Sequence, residues 1–266
     1  MHNHHTLFRI AFLGLLTFLT ASPSALGTIQ HQKVEYTEGD TVLEGVLVHD
    51  DAMAGKRPGI LVVHQWKGLG DHEIQRAEGL AKLGYVAFCA DIYGKGIRPS
   101  TAGDAGKQAG KFKGDRPLLR ARVNAALARM QQLPEVDAGK TAAIGFCFGG
   151  TAVLELARSG ALIAGVVSFH GGLASPTPAD AKNIKARVLA CHGADDPGVP
   201  PAEVASFEKE MRDGGVDWQL VAYGGAVHAF TDVRAGNDPS KGAAYNEKAD
   251  HRSWEAMKAF FSEIFR

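Results

Sequence analysis

The sequence predicts an α/β fold in which a mostly parallel, doubly wound sheet carries helices on both faces. Continuous apolar runs typical of buried parallel strands alternate along the chain with amphipathic helical stretches. Glycine is abundant, at 32 of 266 residues, which suits a fold rich in tight strand-to-helix turns. The length fits one domain, and alternating elements of this kind put a functional site at the carboxyl ends of the strands.

The predicted elements run from an early β-ribbon to an amphipathic closing helix. The ribbon is expected at 34–36 and 42–48, and no internal repeat follows it. Further strands are expected at 59–64, 85–90, directly before Gly145, and at 164–170, 185–193 and 218–223, and helices at 74–83, 118–133, 151–159 and 253–265. The Gly- and Lys-rich segment 94–114 has weak periodicity and fits a mobile lid and an ordinary surface loop equally well.

The first 27 residues are expected to be a signal peptide ahead of a domain at 28–266. Arg9 precedes an apolar run at 10–19 that is too short to span a bilayer, and small residues follow it at 21–27. A retained membrane anchor is the competing interpretation, whereas a lipoprotein is disfavoured because no cysteine follows the run. We therefore expect a periplasmic or secreted protein, and assign no role to the histidines at 2, 4 and 5.

Charge and cysteine content narrow the choice of partners. The formal net charge is zero, so no broad electrostatic footprint for nucleic acid or an anionic membrane is predicted. We expect a small-molecule partner, no stable membrane association after signal cleavage, and a monomer in preference to an oligomer. Three cysteines leave at least one free thiol. Cys89 and Cys191 lie in predicted strands and are expected to be buried, without a disulfide framework.

The segment Gly145-Phe146-Cys147-Phe148-Gly149-Gly150 is the most informative part of the chain. It follows an apolar run and opens a helical stretch, which is the pattern of a sharp strand-to-helix turn that exposes its central side chain. Glycines flank the turn because it packs too tightly for a Cβ. Cys147 is thus a candidate nucleophile. The alternative is a buried structural cysteine beside a Gly-rich turn.

An acidic residue and a histidine follow the turn in order, each just after a predicted strand. Asp195 and Asp196 come after the strand at 185–193, and His228 comes after the strand at 218–223. A nucleophile of this kind needs a base, and the base needs a carboxylate to orient it. Each residue alone is more often structural. The three in this order predict a catalytic triad at one edge of the sheet.

The chain resembles the dienelactone hydrolase family, the Cys-His-Asp branch of the α/β-hydrolases, over about 34–265. The matching motifs are the elbow segment around Cys147, Gly193-x-x-Asp196-x-x-Val199-Pro200, and Tyr223-x-x-Ala226-x-His228-x-Phe230. The resemblance implies an α/β-hydrolase fold with Cys147 as nucleophile, His228 as base and Asp196 as carboxylate. Asp195 is then a solvated or turn-capping neighbour.

The implied reaction is attack of a thiolate on the carbonyl of an ester or lactone, through a covalent acyl-enzyme and without a metal or organic cofactor. The backbone N–H groups of Phe148 and Trp66 are expected to form the oxyanion hole. We expect Gln65, Tyr93 and Lys95 to belong to the substrate pocket, with the Trp66 and Phe148 side chains as its walls.

Three positions depart from the family pattern. Gln65 stands where the family has a glutamate that helps to control ionisation of the nucleophile, and Lys95 and Asp232 stand where it has two substrate-binding arginines. Because an amide cannot take a proton, thiolate formation must depend on His228, the helix dipole or another group. An acid at 232 argues against an anionic dienelactone as the natural substrate.

Several alternatives stay open at this point. His64 fits the oxyanion loop, and fits equally well a strand-end histidine bonded to backbone. His170 and His192 are more often structural than catalytic at such positions, and a covering role for Asn237 and Tyr245 is slightly disfavoured. A thioesterase, a peptidase or an acyltransferase is possible on the same triad. A non-catalytic ligand-binding member is the other rival, and the ordered triad speaks against it.

Overall fold

The computed structural model describes residues 1–2 and 27–266. The predicted signal segment therefore lies almost wholly outside the described residues, and its role stays a prediction. Across the described part of the chain, eight β-strands join in one sheet and six α-helices pack against it. No helix in these two ranges combines the length and the apolar character needed to cross a membrane.

The elements have the following bounds. The strands are β1 (Ile29–Glu38), β2 (Thr41–Asp50), β3 (Arg57–Val63), β4 (Val86–Ala90), β5 (Val136–Phe146), β6 (Gly165–Phe169), β7 (Arg187–Gly193) and β8 (Trp218–Tyr223). The helices are α1 (Asp71–Lys82), α2 (Ala102–Gly114), α3 (Arg116–Gln131), α4 (Phe148–Arg158), α5 (Pro201–Gly214) and α6 (Glu247–Ile264). Short 3-10 segments occupy Pro178–Asn183, Val233–Ala235 and Pro239–Lys241.

The strand order is β1-β2-β4-β3-β5-β6-β7-β8. The β1–β2 ribbon is antiparallel and joins β4 in antiparallel register, while β3 to β8 all run parallel. The predicted α/β-hydrolase-like fold with a mostly parallel sheet is confirmed. Since parallel strands end at one edge, the loops after β3, β5, β7 and β8 come together there.

The central strands β3, β4, β6 and β7 are buried on both faces of the sheet, as their continuous apolar runs require, whereas the edge strands β1 and β8 are partly exposed. In β3, Leu61 and Val63 pack into a cluster that holds residues of α3, α4 and α5. Ile60 and Val62 point the other way, into a cluster with residues of α1 and α6. Successive side chains of a strand face opposite sides, so one strand supplies both cores.

The segment 94–114 differs from the lid-or-loop prediction, because most of it is helix α2. Thr101 caps the helix by accepting the N–H of Asp104 at 3.1 Å, and Ala105, Ala109 and Phe112 form its buried face. Its glycines lie on the exposed side, where each lowers helix stability by about 1 kcal/mol relative to alanine. Packing of the small apolar face outweighs the weak local propensity.

Helices α5 and α6 also differ from the sequence patterns. The patterns leave the region of α5 unassigned and start the closing helix at 253, whereas α6 begins at Glu247. The Asn246 side chain accepts the N–H of Ala249 at 3.1 Å and so starts the helix earlier.

Candidate active site

Cys147 occupies a strained turn between β5 and α4. Its backbone has φ 54° and ψ −114°, a conformation that costs a non-glycine residue about 1–3 kcal/mol. A Cβ on Gly145 would lie 2.0 Å from the carbonyl oxygen of Gly149, and one on Gly149 would lie 2.1 Å from that of Val63. The glycines are thus required by the close approach of β5, α4 and β3. All three cysteines are free; Cys89 and Cys191 are buried as expected, and Cys147 is half-buried.

His228 lies between Cys147 and Asp196. Its Nε2 is 3.0 Å from Cys147 Sγ, and its Nδ1 is 2.8 Å from Asp196 Oδ2. Asp196 is buried, and its second oxygen accepts the N–H of Gly198 at 2.8 Å. Asp195 is exposed and instead accepts the N–H of Gly225 at 3.0 Å. The structure therefore brings together the three residues selected from the sequence and leaves Asp195 outside.

The contacts around His228 favour a thiolate–imidazolium pair. Burial opposes a charged imidazole, but the hydrogen bonds and charges of Asp196 and Cys147 outweigh it and raise the pKa of His228 to about 10. Burial likewise opposes a thiolate. The hydrogen bond and charge of His228, then the charge of Lys113 and the N–H of Phe148, nevertheless lower the pKa of Cys147 below its usual range. Both shifts favour the ion pair at neutral pH.

The two predicted oxyanion donors lie at this same edge of the sheet. Phe148 is the first residue of α4, and its N–H helps to lower the pKa of the Cys147 thiol. Trp66 lies in the loop after β3, where its carbonyl accepts the Tyr93 hydroxyl at 2.9 Å. Within residues 27–266 the Trp66 N–H has no protein acceptor. The oxyanion hole stays a prediction, which these positions support.

Gln65 and Trp66 line a cavity of about 380 Å³ together with Leu69, Arg98 and Arg234. The Gln65 side chain does not bond Cys147 and instead donates to Asp232 Oδ2 at 2.9 Å. Asp232 in turn accepts two bonds of 2.9 Å from the Arg234 guanidinium. Burial opposes the charged form of Asp232, but Arg234 and Gln65 outweigh it and hold the pKa of its carboxyl well below the usual range.

The positions of Lys95 and Tyr93 correct the expected pocket. Lys95 is not among the cavity-lining residues, because its ammonium pairs with Glu35 and Glu44 on the β1–β2 ribbon. Arg98 and the exposed Lys67 line the cavity in its place. Tyr93 is buried, with its hydroxyl committed to the Trp66 carbonyl, so it supports the oxyanion loop from behind.

The histidines outside the triad have different surroundings. His64 is bonded to backbone on both ring nitrogens, from Nδ1 to the Gln65 carbonyl at 2.6 Å and from Nε2 to the Ile92 N–H at 3.2 Å. His192 is buried beside α5. His170 touches the nucleophile, because its Nδ1 accepts the N–H of Cys147 at 3.1 Å.

The irregular segment after His228 reaches the cavity, but not through Asn237 or Tyr245, the two residues considered from the sequence. Asn237 is exposed, and Tyr245 lines a separate groove with Arg76 and Trp254. Arg234 and Ala235 of this segment line the cavity instead. In the described ranges, no three His, Cys, Asp or Glu side chains are grouped so that they could hold a metal ion.

Sequence reasoning missed Lys113, Arg98 and Arg234. Lys113 acts on Cys147 from the last turn of α2. A helix assignment for 102–114 is the signal that could have drawn attention to it. Arg98 and Arg234 lie three and two residues beyond Lys95 and Asp232, the positions that the family pattern singles out. A search confined to aligned positions therefore passes over both arginines.

Comparison with known proteins identifies the family of the chain. The model of the dienelactone hydrolase family matches residues 43–265. A Bradyrhizobium sp. protein named 2-oxo-3-(5-oxofuran-2-ylidene)propanoate lactonase is 30% identical over 188 residues, 67% of this chain and 75% of the relative. A Synechocystis sp. protein named carboxymethylenebutenolidase is 28% identical over 221 residues, 78% of this chain and 86% of the relative.

A solved structure of a dienelactone hydrolase-like promiscuous phosphotriesterase from metagenomic libraries is also similar. It has 44% sequence identity and a TM-score of 0.86, and the match covers 90% of this chain and 100% of the other. With a family model that matches most of the chain, and with close relatives in both sequence and structure, the protein belongs to the dienelactone hydrolase family.

Proposed function

We propose that the protein hydrolyses carboxylic esters or lactones through a covalent acyl-enzyme on Cys147. The contact of 3.0 Å between Cys147 Sγ and His228 Nε2 carries this proposal, because it pairs a nucleophile with a base that Asp196 orients. Relatives named as a lactonase and a carboxymethylenebutenolidase support the reaction class.

In the first half-reaction, the Cys147 thiolate attacks the carbonyl carbon and forms a C–S bond. The negative charge that develops on the carbonyl oxygen is stabilised by the N–H groups of Phe148 and Trp66. When the tetrahedral intermediate collapses, the C–O bond breaks and the His228 imidazolium gives its proton to the leaving alkoxide. A lactone keeps this alcohol tethered to the acyl group.

In the second half-reaction, neutral His228 takes a proton from water as the water oxygen attacks the thioester carbonyl. The C–S bond then breaks, which releases the acid and restores the Cys147 thiolate and the imidazolium. Asp196 keeps the Nδ1 proton in place throughout, so that Nε2 always faces the reacting atoms. Gln65 takes no proton in this scheme, because an amide is not a base at neutral pH, and its side chain stays bonded to Asp232.

The two paired arginines of the cavity favour a neutral substrate over an anionic dienelactone, and the third cation that lines it, Lys67, is exposed to solvent, which screens its attraction for an anion. Arg234 is neutralised by its two bonds to Asp232, and Arg98 lies 3.4 Å from Asp91 Oδ1 and also donates to the Leu69 carbonyl at 2.8 Å. A substrate carboxylate would have to compete with these partners, whereas a neutral ester or lactone would leave them undisturbed.

Phosphotriesters are a second candidate substrate class. The observation that favours them is the 44% identity to a promiscuous phosphotriesterase over 90% of this chain. The same thiolate can attack phosphorus, and the same N–H groups can stabilise charge on the phosphoryl oxygen. A phosphorylated Cys147 would then take the place of the acyl-enzyme.

Intact-protein mass spectrometry after rapid quenching tests both classes. The panel contains p-nitrophenyl esters, neutral lactones, a thioester, a peptide and paraoxon. We expect an acyl mass on wild type with esters or lactones and none on Cys147→Ala, while Cys191→Ala, which alters a buried thiol, keeps the adduct. Turnover without any adduct on Cys147, or an adduct that persists in Cys147→Ala, would contradict the proposal.

We also propose that the protein is exported and acts as a monomer on small molecules. The apolar run at 10–19 and the small residues up to Gly27 support export. Fractionation of expressing cells, followed by N-terminal sequencing of the product, is the test. A chain that starts at about residue 28 is expected in the periplasm or medium, whereas a cytoplasmic chain with an intact N-terminus would contradict the proposal.

A further inference from the structure

Three residues other than glycine have positive φ in the described part of the chain, and all three lie at this site. They are Cys147 at 54°, His170 at 40° and Ala229, next to the catalytic His228, at 59°. Non-glycine residues keep such a backbone only where the surrounding structure holds them. Cys147 and Ala229 are explained by the elbow and the His228 loop. His170 has no role in the chemistry above, yet it is strained in the same way.

His170 follows β6 and lies directly behind the elbow. The N–H of Cys147 is shared between the Phe169 carbonyl at 3.0 Å and His170 Nδ1 at 3.1 Å. Because a backbone N–H can only donate, Nδ1 must be the unprotonated nitrogen of the ring. Nε2 then carries the hydrogen and donates it to Thr231 Oγ1, 2.8 Å away.

Beyond Thr231, the contacts no longer form a directed series of hydrogen bonds. His72 Nε2 lies 3.3 Å from the Thr231 carbonyl and 3.4 Å from Thr231 Oγ1, so His72 contacts the same residue in either tautomer. His72 Nδ1 lies 3.4 Å from Glu73 Oε1 without making a hydrogen bond. All four side chains, from His170 to Glu73, are at most 5% exposed, so water does not readily substitute for a lost partner.

The far end of this cluster of four side chains reaches the oxyanion loop. Glu73 Oε1 accepts the N–H of Gln65 at 3.2 Å, and Oε2 accepts the N–H of Gly70 at 3.0 Å. Gln65 immediately precedes Trp66, the expected oxyanion donor. Hydrogen bonds of His170 thus join the elbow to Thr231 in the loop that carries His228, and only the packing of His72 against Glu73 extends the cluster towards the loop that carries Trp66.

We propose that His170 is a positioning residue that holds the Cys147 amide and, through its hydrogen bond to Thr231, fixes the elbow relative to the loop that carries His228. This inference rests on the proposed function, because it assigns His170 a part in placing that nucleophile. Loss of the bond from the Cys147 N–H leaves the strained elbow with one acceptor, Phe169, and moves Sγ relative to His228 Nε2. Displacement of a reacting group by about 1 Å is enough to lower turnover about 100-fold.

The charge state of His170 suits this role. Its ring meets the His228 ring edge to face, with centroids 5.3 Å apart, and the titratable groups that face it are His228, His72 and Asp232. Burial, followed by the positive charges of His228 and His72, holds the pKa of His170 well below its usual range, against a smaller opposite effect of Asp232. A neutral ring can accept from Cys147 without repelling the His228 imidazolium.

The test compares His170→Leu, His170→Asn and Thr231→Val in the full-length protein. Leucine removes both polar contacts, whereas asparagine retains an acceptor and a donor and tolerates positive φ. Valine keeps the shape of threonine and removes only the hydroxyl link. Two quantities are measured: kcat and KM for a p-nitrophenyl ester, and the pH midpoint of Cys147 alkylation by iodoacetamide. Thermal unfolding of each variant is recorded alongside.

For His170→Leu we expect kcat to fall about 100-fold, KM to change less than about threefold, and the alkylation midpoint to rise as Sγ leaves His228. His170→Asn should recover at least about tenfold of the lost kcat. Thr231→Val should shift both quantities in the same direction as His170→Leu but less. The double variant should be no worse than His170→Leu alone, because both changes interrupt one network.

A lower melting temperature with wild-type kcat and alkylation midpoint would overturn the proposal, and so would equal losses in the leucine and asparagine variants. If His170→Leu does not fold, Thr231→Val decides, and wild-type values for that variant overturn the link. Alkylation needs no substrate. If the wild type is alkylated readily but hydrolyses no ester, the proposed function is contradicted. The alkylation midpoints of the variants then still test the role of His170.

Discussion

Gln65 donates a hydrogen bond from its side-chain amide to Asp232, with 2.9 Å between Nε2 and Oδ2. Both positions depart from the family pattern, and the structure shows that the two departures meet. The amide needs an acceptor at this place and the carboxylate needs a donor, so each residue fits the other. With Arg234 on the second side of Asp232, they form a neutralised cluster in the wall of the cavity.

Gln65→Glu is expected to lower kcat/KM at neutral pH and to restore part of it at lower pH. The new carboxylate would face Asp232, and such repulsion raises the pKa of one of the two carboxyls. A pH profile of kcat/KM against wild type is the measurement. In the double variant with Asp232→Asn, an acceptor and a donor again face each other, so activity should recover. An unchanged profile in the single variant would show that the pair has no influence on the nucleophile.

Asp196→Asn should lower kcat about 1,000-fold to 10,000-fold, because an amide at Nδ1 permits the wrong tautomer of His228. Asp195→Asn is the matched control, since Asp195 is exposed and bonds only the Gly225 N–H. We expect its kcat within about twofold of wild type, as for most surface changes. Steady-state kinetics on an activated ester distinguish the two variants. A severe loss in Asp195→Asn with a mild effect in Asp196→Asn would show that Asp195 is the carboxylate of the triad.

The pH profile of kcat/KM should be bell-shaped, with both limbs shifted away from the ordinary pKa values of cysteine and histidine. The acid limb reports protonation of the Cys147 thiolate, and because the pKa of this thiol is lowered, the limb should lie below the ordinary value of about 8.5. The alkaline limb reports proton loss from His228, whose pKa is raised to about 10, so activity should be lost only above that pH. An alkaline limb near pH 6.5 would contradict the ion pair.

Lys113→Met should slow alkylation of Cys147 near neutral pH by about twofold to fivefold at low ionic strength, and less at high salt. Removal of a positive charge raises the pKa of the Cys147 thiol, so less thiolate is present at a given pH. Lys111→Met removes a similar exposed cation from the same last turn of α2 and should leave the rate unchanged. Equal alkylation rates for Lys113→Met and wild type would show that Lys113 does not influence the ionisation of Cys147.

The triad residues could be identified from sequence because each belongs to a local motif. Cys147 is flanked by glycines that a close approach requires, and Asp196 and His228 each follow an apolar strand whose end the sheet brings to one edge. The parallel sheet is predictable for the same reason, since buried strands leave continuous apolar runs. The motifs and the apolar runs each depend on residues that are close together in the sequence.

The network behind Cys147 could not be predicted in this way, because its members come from distant parts of the chain. His170, Thr231 and His72 meet only when β6, the His228 loop and α1 are assembled. Lys95 shows the converse. Its place in a motif suggested the pocket, but its ammonium is drawn to Glu35 and Glu44 of the ribbon, which the motif does not include.

The most direct test of Cys147 as nucleophile is the turnover of Cys147→Ala on an activated ester, with Cys147→Ser beside it. The side chain is small and only half-buried where it packs against the core, so the melting temperature should stay within a few degrees of wild type. We expect kcat to fall by more than about 1,000-fold in the alanine variant. The serine variant should also be severely impaired, because a hydroxyl is far harder to ionise than a thiol. Turnover of Cys147→Ala within severalfold of wild type would contradict the account.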